Sequence, residues 1–507
     1  MKKLLFTPML LASMFAIAQN SDDAAAKFAS TITAKSLKEK LSVIASAEFE
    51  GRETATPGQK KAAAYIESLF KKFGLKPGNG DSYQQVYPVY QDELLGVKLS
   101  VNGKPFQLDK DFTFTVQSAA SGVSNINEVV FLGYGLPEDF ANIDVKGKVV
   151  LFLDGAPADY KPAANAPTRR GGPTAFFAKA GMARTKGAAG VVLISNSFPR
   201  KVATATKGEM YLTKATSSFT TVTVSEEIAS ALLGRTSTLS IDKLKEVNKG
   251  TYYAETKLDV NKVTTNLESS NVIGILEGTD KKDEYVVLSG HYDHLGKRDM
   301  VIYYGADDDG SGTTSVLQMA EAFAAAKKKG NGPRRSIIFL AVSGEEKGLW
   351  GSQYYSEHPL YPLAKTSVDL NTDMVGRVDT ERKTGDTTNY VYVIGHDKLS
   401  SDLPIINEGV NKQFTNLTLD YKYDDPNDKN QIYYRSDHYN FAKMGVPILF
   451  FYDGMLLADY HKPTDTVDKI NFELMEKRVK MIFHTAWVMA NRDQMLKRDI
   501  PLNMPSR

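Results

Sequence analysis

The chain has 507 residues, 42% hydrophobic and 24% charged, an ordinary balance for a soluble folded protein, and its length suggests two or three domains rather than one core. A formal net charge of +2 gives no electrostatic case for nucleic acid as a partner. No cysteine occurs, which removes disulfides, thiolate metal sites and cysteine nucleophiles, and with them lipid attachment through an N-terminal cysteine.

The opening MKKLLFTPMLLASMFAIAQN has Lys2 and Lys3, an apolar run and small residues before Gln19, the layout of a cleavable export signal over 1–18. The run is broken by Thr7, Pro8 and Ser13 and is shorter than the ~20 residues a membrane span needs. No membrane anchor is therefore expected, and the mature protein is expected to be periplasmic or secreted. Within 19–96, SLKEKLSVIASAEFEGRETATPGQKKAAAYIESLFKKFG reads as two helices joined by a polar loop. Thr56 and Pro57 open the second, Ala63, Ile66, Phe70 and Phe73 share a face, and Gly74 ends it.

Between 97 and 250 the texture changes. VVFLGYG, KGKVVLFLDG and GAAGVVLISN are short strands between Gly-rich turns, with a short helix before the last. This β-rich segment holds almost no histidine or clustered carboxylate, which argues against a catalytic role. From 251 to 507 strands and helices alternate. Strands are expected at 285–290, 336–342, 366–371, 389–395 and 446–451, and helices at 311–329, 348–357, 398–411 and 471–492. That order predicts an α/β fold with a mainly parallel central sheet and helices on both faces. Ligands in such sheets bind at the carboxyl ends of the strands.

Seven histidines occur in the chain, and most of the informative ones follow strands. His291 ends the 285 strand, Asp308 lies before the 311 helix, Glu345 and Glu346 follow RSIIFLAVSG, Asp373 follows VDLNT, and His461 lies in DYHKPTDT. Imidazoles and carboxylates without sulfur at one sheet edge suit zinc or a similar divalent ion. Five protein ligands exceed the three of a lone catalytic zinc, whereas a shared carboxylate gives each of two ions three ligands and room for a bridging water. Asp293 is placed to accept the His291 N–H and fix its tautomer. Adjacent side chains diverge in extended backbone, so one of Glu345 and Glu346 can bind metal while the other faces the water. HExxH, GxSxG and GxxxxGK[ST] are all absent, which removes the simplest zincin, serine hydrolase and P-loop readings.

GHYDHLG, GADDDGSG, VSGEEKGLWGS, NTDMVG, YYRSDHYNFAKMGVP and DYHKPTDT, in this order, resemble the co-catalytic zinc exopeptidases, the family of bacterial leucyl aminopeptidases, glutamate carboxypeptidase, glutaminyl cyclase and the transferrin receptor. The resemblance extends over nearly the whole mature chain, with EFEGRETATPGQKKAAAYI matching the N-terminal segment and 97–250 an inserted protease-associated (PA) domain. It implies two zinc ions, with Asp308 bridging them, His291 and Asp373 completing one, Glu346 and His461 completing the other, and Glu345 as general base. Asp307 and Asp309 stand where Asn is frequent and are expected to tighten the metals or face solvent. The 308–309 peptide bond is expected to be cis.

The implied substrate is a peptide, cut at its N-terminal residue. A carboxypeptidase or dipeptidase would need arginines to grip a carboxylate, and Arg435 in YYRSDH is the obvious candidate. A noncatalytic receptor-like protein would have lost metal ligands, and none is lost. His438 in SDHYNF is expected either to touch substrate or to cap structure, and His294 to be a scaffold residue or to support a ligand. His484 is expected in the core, and His358 and His396 on surface loops. Neither the oligomeric state nor the preferred side chain follows from the sequence.

Overall fold

The computed structural model describes residues 23–118, 120–161, 174–214 and 219–504; the expected export signal lies outside them. The chain divides into two compact units, one formed by residues up to Pro88 with Glu268–Arg507, the other by Val89–Leu267. These bounds differ from the expected 97 and 250 because the strands Gln84–Val101 and Gly250–Leu276 run on through them.

In the first unit, Pro57–Phe73 is a helix whose N-cap is Thr56 and whose last turn is closed by Gly74 at φ 85°. That left-handed conformation costs glycine little. Lys281–His291 lies parallel to Arg335–Val342 on one side and Thr366–Thr372 on the other. Thr366–Thr372 pairs in parallel with Ile448–Tyr452, next to which Tyr390–Ile394 runs antiparallel. Residues 272–276 pair antiparallel with Arg335–Val342. The sheet is mainly parallel, as the alternation predicts.

Alternate residues of these strands enter two separate cores, the period-2 pattern of a sheet buried on both faces. Val286, Leu288, Ile337, Phe339 and Leu370 pack with the helices Ala34–Ile44, Pro57–Phe73, Gly312–Lys328 and Phe472–Asn491. Val287, Ile338 and Leu340 pack on the opposite face with Tyr355 and Phe441, from the helices Trp350–Glu357 and His438–Lys443. Two covered faces leave the strand ends as the place where polar side chains gather.

In the second unit, Gly122–Phe131, Val149–Leu153, Gly190–Ile194 and Thr220–Val224 pair in parallel in that order. The helix Phe176–Thr185 lies between the second and third in sequence. Leu151 and Ile194 enter one apolar cluster and Val150 and Leu193 another. Among the described residues no helix is long and apolar enough to cross a membrane.

Candidate metal centre

Three neighbouring parallel strands deliver the central donors at their carboxyl ends. His291 is the last residue of Lys281–His291, Asp373 directly follows Thr366–Thr372, and Glu345 and Glu346 lie just past Arg335–Val342. Gly344, at φ 74°, makes the turn before the two glutamates, and a Cβ there would lie 2.8 Å from the Tyr87 hydroxyl and 2.9 Å from Trp350 Cβ. Asp308 lies in the turn Ala306–Ser311, and its peptide bond to Asp309 is cis.

The carboxylates on either side of Asp308 neither bind at the cluster nor face solvent. Asp309 is fully buried and accepts main-chain N–H groups from His291 at 3.1 Å, Gly312 at 2.8 Å and Met374 at 3.0 Å. Asp307, also buried, accepts from Gly376 N at 2.8 Å. Both therefore tie the Asp308 loop to the strand ends, because unpaired amides at such a crowded edge need acceptors.

Two donor groups share Asp308, one with His291 and Asp373 and the other with His294 and Glu346, and His461 reaches the second. In one, His291 Nε2 lies 3.4 Å from Asp308 Oδ1 and 3.6 Å from Asp373 Oδ1. In the other, His461 Nε2 lies 3.2 Å from Asp308 Oδ2 and 3.0 Å from Glu346 Oε2. Donors around one tetrahedral zinc with bonds of 2.0–2.1 Å are about 3.3 Å apart. His291 Nε2, Asp308 Oδ2 and Glu346 Oε1 are buried without a hydrogen-bond partner, a state that is costly unless a cation satisfies them. Separation, chemistry and unpartnered atoms all fit two divalent ions.

The two neighbouring glutamates are driven in opposite directions. Burial, against the nearby His291 and with the Glu346 charge, pushes the Glu345 carboxyl well above its usual range. Glu346 is taken down to about 2, because the contacts with His294 and His461 outweigh its burial. Such a divergence is the electrostatic mark of two carboxylates with different tasks. Glu345 lines a cavity with Asp308, Asp373, Arg435 and Tyr460, whose remaining wall includes Met374, Ile432, Phe450 and Leu456.

The remaining candidates divide by position. His291 Nδ1 lies 3.1 Å from the main-chain carbonyl of Asp293 and 3.7 Å from its carboxylate, so the carbonyl is the nearer acceptor. The Asp293 carboxylate instead accepts from Thr54 Oγ1 at 2.6 Å and Glu345 N at 3.3 Å. Arg435 reaches the cavity and donates to the Tyr460 hydroxyl at 2.9 Å. His438 is not on the cavity wall: it is buried, stacked on Phe450 with ring centroids 4.6 Å apart, and its Nε2 lies 2.8 Å from the Tyr433 carbonyl. Burial lowers its pKa to about 3, so it is a neutral support behind the wall.

His294 is drawn into the cluster, with Nδ1 2.8 Å from Glu346 Oε1. His484 is a core residue stacked on Phe414 at 3.8 Å, and His358 is exposed at the end of its helix. His396 is half-buried rather than a surface residue; it stacks on Tyr421 at 3.6 Å and pairs with Asp424. The group His396, Asp397 and Asp424 resembles a cation site in composition, but Lys398 Nζ lies 2.6 Å from Asp397 and 3.4 Å from Asp424, so an ammonium already fills that role.

Two residues escape sequence reasoning altogether. Asp465 accepts from the backbone of Asp307 at 3.0 Å and Asp308 at 3.1 Å, and its place four residues after His461 in DYHKPTDT was the available signal. Arg52 is fully buried and donates to the carbonyls of Tyr292, Ile44, Tyr304 and Gly305 at 2.7–2.9 Å.

Residues 271–486 match the model of Peptidase family M28. A probable leucine aminopeptidase of Arthroderma otae is 29% identical over 216 residues, 41% of this chain and 55% of that protein. A probable zinc metalloprotease of Pyricularia oryzae is 37% identical over 113 residues, 21% of each chain. The chain thus spans between about a fifth and about half of the length of these relatives. In fold, it is similar to an aminopeptidase from Aneurinibacillus sp. strain AM-1, with TM-score 0.55 and 20% identity over 95% of this chain and 100% of that one. The zinc aminopeptidase of Bacillus subtilis gives TM-score 0.51 and 22% identity over 92% and 99%. The strand-end cluster lies inside residues 271–486, the segment that matches Peptidase family M28.

Proposed function

We propose that the chain is a zinc-dependent exopeptidase, an aminopeptidase that removes N-terminal residues from peptides. One observation carries the reading: two buried donor groups share Asp308 at the strand ends, and Glu345 stands in the same cavity. In this reading His291, Asp308 and Asp373 hold one zinc, and Asp308, Glu346 and His461 hold the other. Zinc bound there supplies Lewis-acid polarisation of the scissile carbonyl and a lowered pKa for the attacking water. Glu345 takes the water proton and returns it to the leaving amine, the work of a carboxyl held above its usual range. Asp293, through Glu345 N and the His291 ring, positions both, and Arg435 holds Tyr460 against the cavity. His438 supports Phe450 on the wall.

The Val89–Leu267 unit is the PA insert in this reading, and residues 1–18 direct export to the periplasm or beyond. A second reading, peptidase action from a C-terminal carboxylate, draws on Arg435 in the cavity wall. The test is dialysed protein against aminoacyl substrates and N-blocked peptides, with and without added zinc. Zinc-restored release from free N-termini, with N-blocked peptides inert, is expected. Release of C-terminal residues from N-blocked peptides would favour the second reading, and no turnover with zinc bound would favour a noncatalytic binding protein.

A further inference from the structure

We infer that His294 is a direct ligand of one of the two metal positions, giving it four protein donors, His294, Asp308, Glu346 and His461, while the other keeps three. The inference rests on the two-metal reading above.

The backbone fixes where the imidazole goes. His294 N is 3.3 Å from the Arg52 carbonyl, and the residue forms a bridge with Glu53, so its main chain is pinned to the N-terminal segment. Its ring fills space that only a glycine leaves. A Cβ on Gly305 would come within 2.5 Å of His294 Cγ. The side chain is fully buried, wedged against the loop that carries Asp308.

The ring then faces the cluster without a conventional partner. Nδ1 is 2.8 Å from Glu346 Oε1 and 3.9 Å from Asp308 Oδ2, yet both ring nitrogens and Glu346 Oε1 lack an aligned hydrogen bond. A short contact between a buried imidazole nitrogen and a carboxylate oxygen that do not point at each other is the arrangement of two donors aimed at a common cation. His461 Nε2 completes the same group from the other side, at 3.0 Å from Glu346 Oε2, and the two imidazoles stand edge to face at 73° with centroids 5.9 Å apart. Four protein donors close a tetrahedral site, whereas three leave a position open. The two metals are therefore unequal: the His294 position is the closed, tighter one, and the position of His291 and Asp373 is the exchangeable one with room for substrate or water.

The test is titration of zinc into the metal-free full chain and into H294A and H294N, with bound metal counted. Wild type should take up two equivalents with separable affinities. Outer partners of metal ligands change affinity about 10- to 100-fold, so a direct ligand is expected to weaken the tighter site by more than about 100-fold in H294A. The amide of H294N can donate to Glu346 in place of Nδ1–H but is a poor ligand, and it should not restore affinity. A loss below about 100-fold, or rescue in H294N, would overturn the assignment. Uptake of fewer than two zincs by wild type would instead sink the two-metal reading, and this inference with it. A crystal structure of the zinc-loaded wild type needs no variant to fold: His294 Nδ1 at the usual ~2.0–2.1 Å bond length supports the inference, and a separation beyond about 3 Å refutes it.

Discussion

Arg52 Nη2 donates to the Gly305 carbonyl at 2.9 Å, joining residues 253 apart in the chain. The same guanidinium holds the carbonyls of Ile44, Tyr292 and Tyr304, so one side chain anchors the loop before Asp308 at two consecutive carbonyls. Arg52→Met keeps much of the bulk and removes this donor from four carbonyls, of which that of Gly305 still accepts from Gly310 N at 3.1 Å. At roughly 1–3 kcal/mol for each buried group left unsatisfied, the variant is expected to lower the melting temperature by several degrees and weaken zinc binding together. A melting curve with a parallel zinc titration checks this; unchanged zinc affinity in the folded variant would separate Arg52 from the metal loop.

The adjacent glutamates give the sharpest mutational contrast. Glu345→Gln cannot accept the water proton, so it should retain both zincs and lose about 10²- to 10⁴-fold in kcat, the scale of a missing acid or base. Glu346→Gln should weaken one zinc. Metal analysis beside steady-state kinetics decides the matter, and the roles would be reversed if Glu345→Gln lost metal while Glu346→Gln kept it.

Asp369 predicts a pH dependence outside the metal centre. It is fully buried in the strand Thr366–Thr372 and accepts from Ser289 Oγ at 2.7 Å. Burial, offset in part by that hydrogen bond, raises its pKa to about 8. Between an unfolded value near ~3.9 and about 8, the folded protein holds a proton that the unfolded chain releases. This contribution is therefore complete below about pH 4 and is lost as pH rises through about 8. Asp369→Asn, neutral at every pH, should raise the melting temperature more at pH 8 than at pH 5. Equal shifts at both would contradict the buried, protonated state.

Excising Val89–Leu267 and joining the flanks with a short flexible linker is expected to leave zinc binding intact and alter the range of peptides cut. Inductively coupled plasma analysis of the purified deletion measures the first, a peptide panel the second. A folded deletion protein without zinc would place metal-supporting residues inside the excised unit.

Much of the architecture was legible because it rests on periodicity. The strand ending at His291, the helix from Gly312 and the helix to Asn491 follow from apolar spacing and their caps. What escaped depends on direction rather than spacing. His294 lies three residues past a strand end, in irregular backbone where no repeat says which way a ring points. Asp307 and Asp309 flank Asp308, and their acceptor roles depend on amides that only the folded loop presents. His438 follows the acid Asp437 in a polar motif, and its burial behind Phe450 is a tertiary fact. The unit boundary was hidden because two long strands carry the chain through it.

The division of the first unit in sequence also sets an order of assembly during synthesis. The helix Ala34–Ile44 shares its core with Phe472–Asn491, and Ala34 N donates to Glu476 at 2.6 Å. Those partners are made nearly a whole chain apart. Domains fold as units, N-terminal ones first as the chain emerges, so Val89–Leu267, which is contiguous, is expected to complete its pairings while the first unit still waits for its last helix. A nascent chain released at about residue 300 should hold a protease-resistant core in the middle unit and none around His291. The full donor set for metal then comes together only after the last helix has emerged, and the metal centre is one of the last features of the molecule to exist.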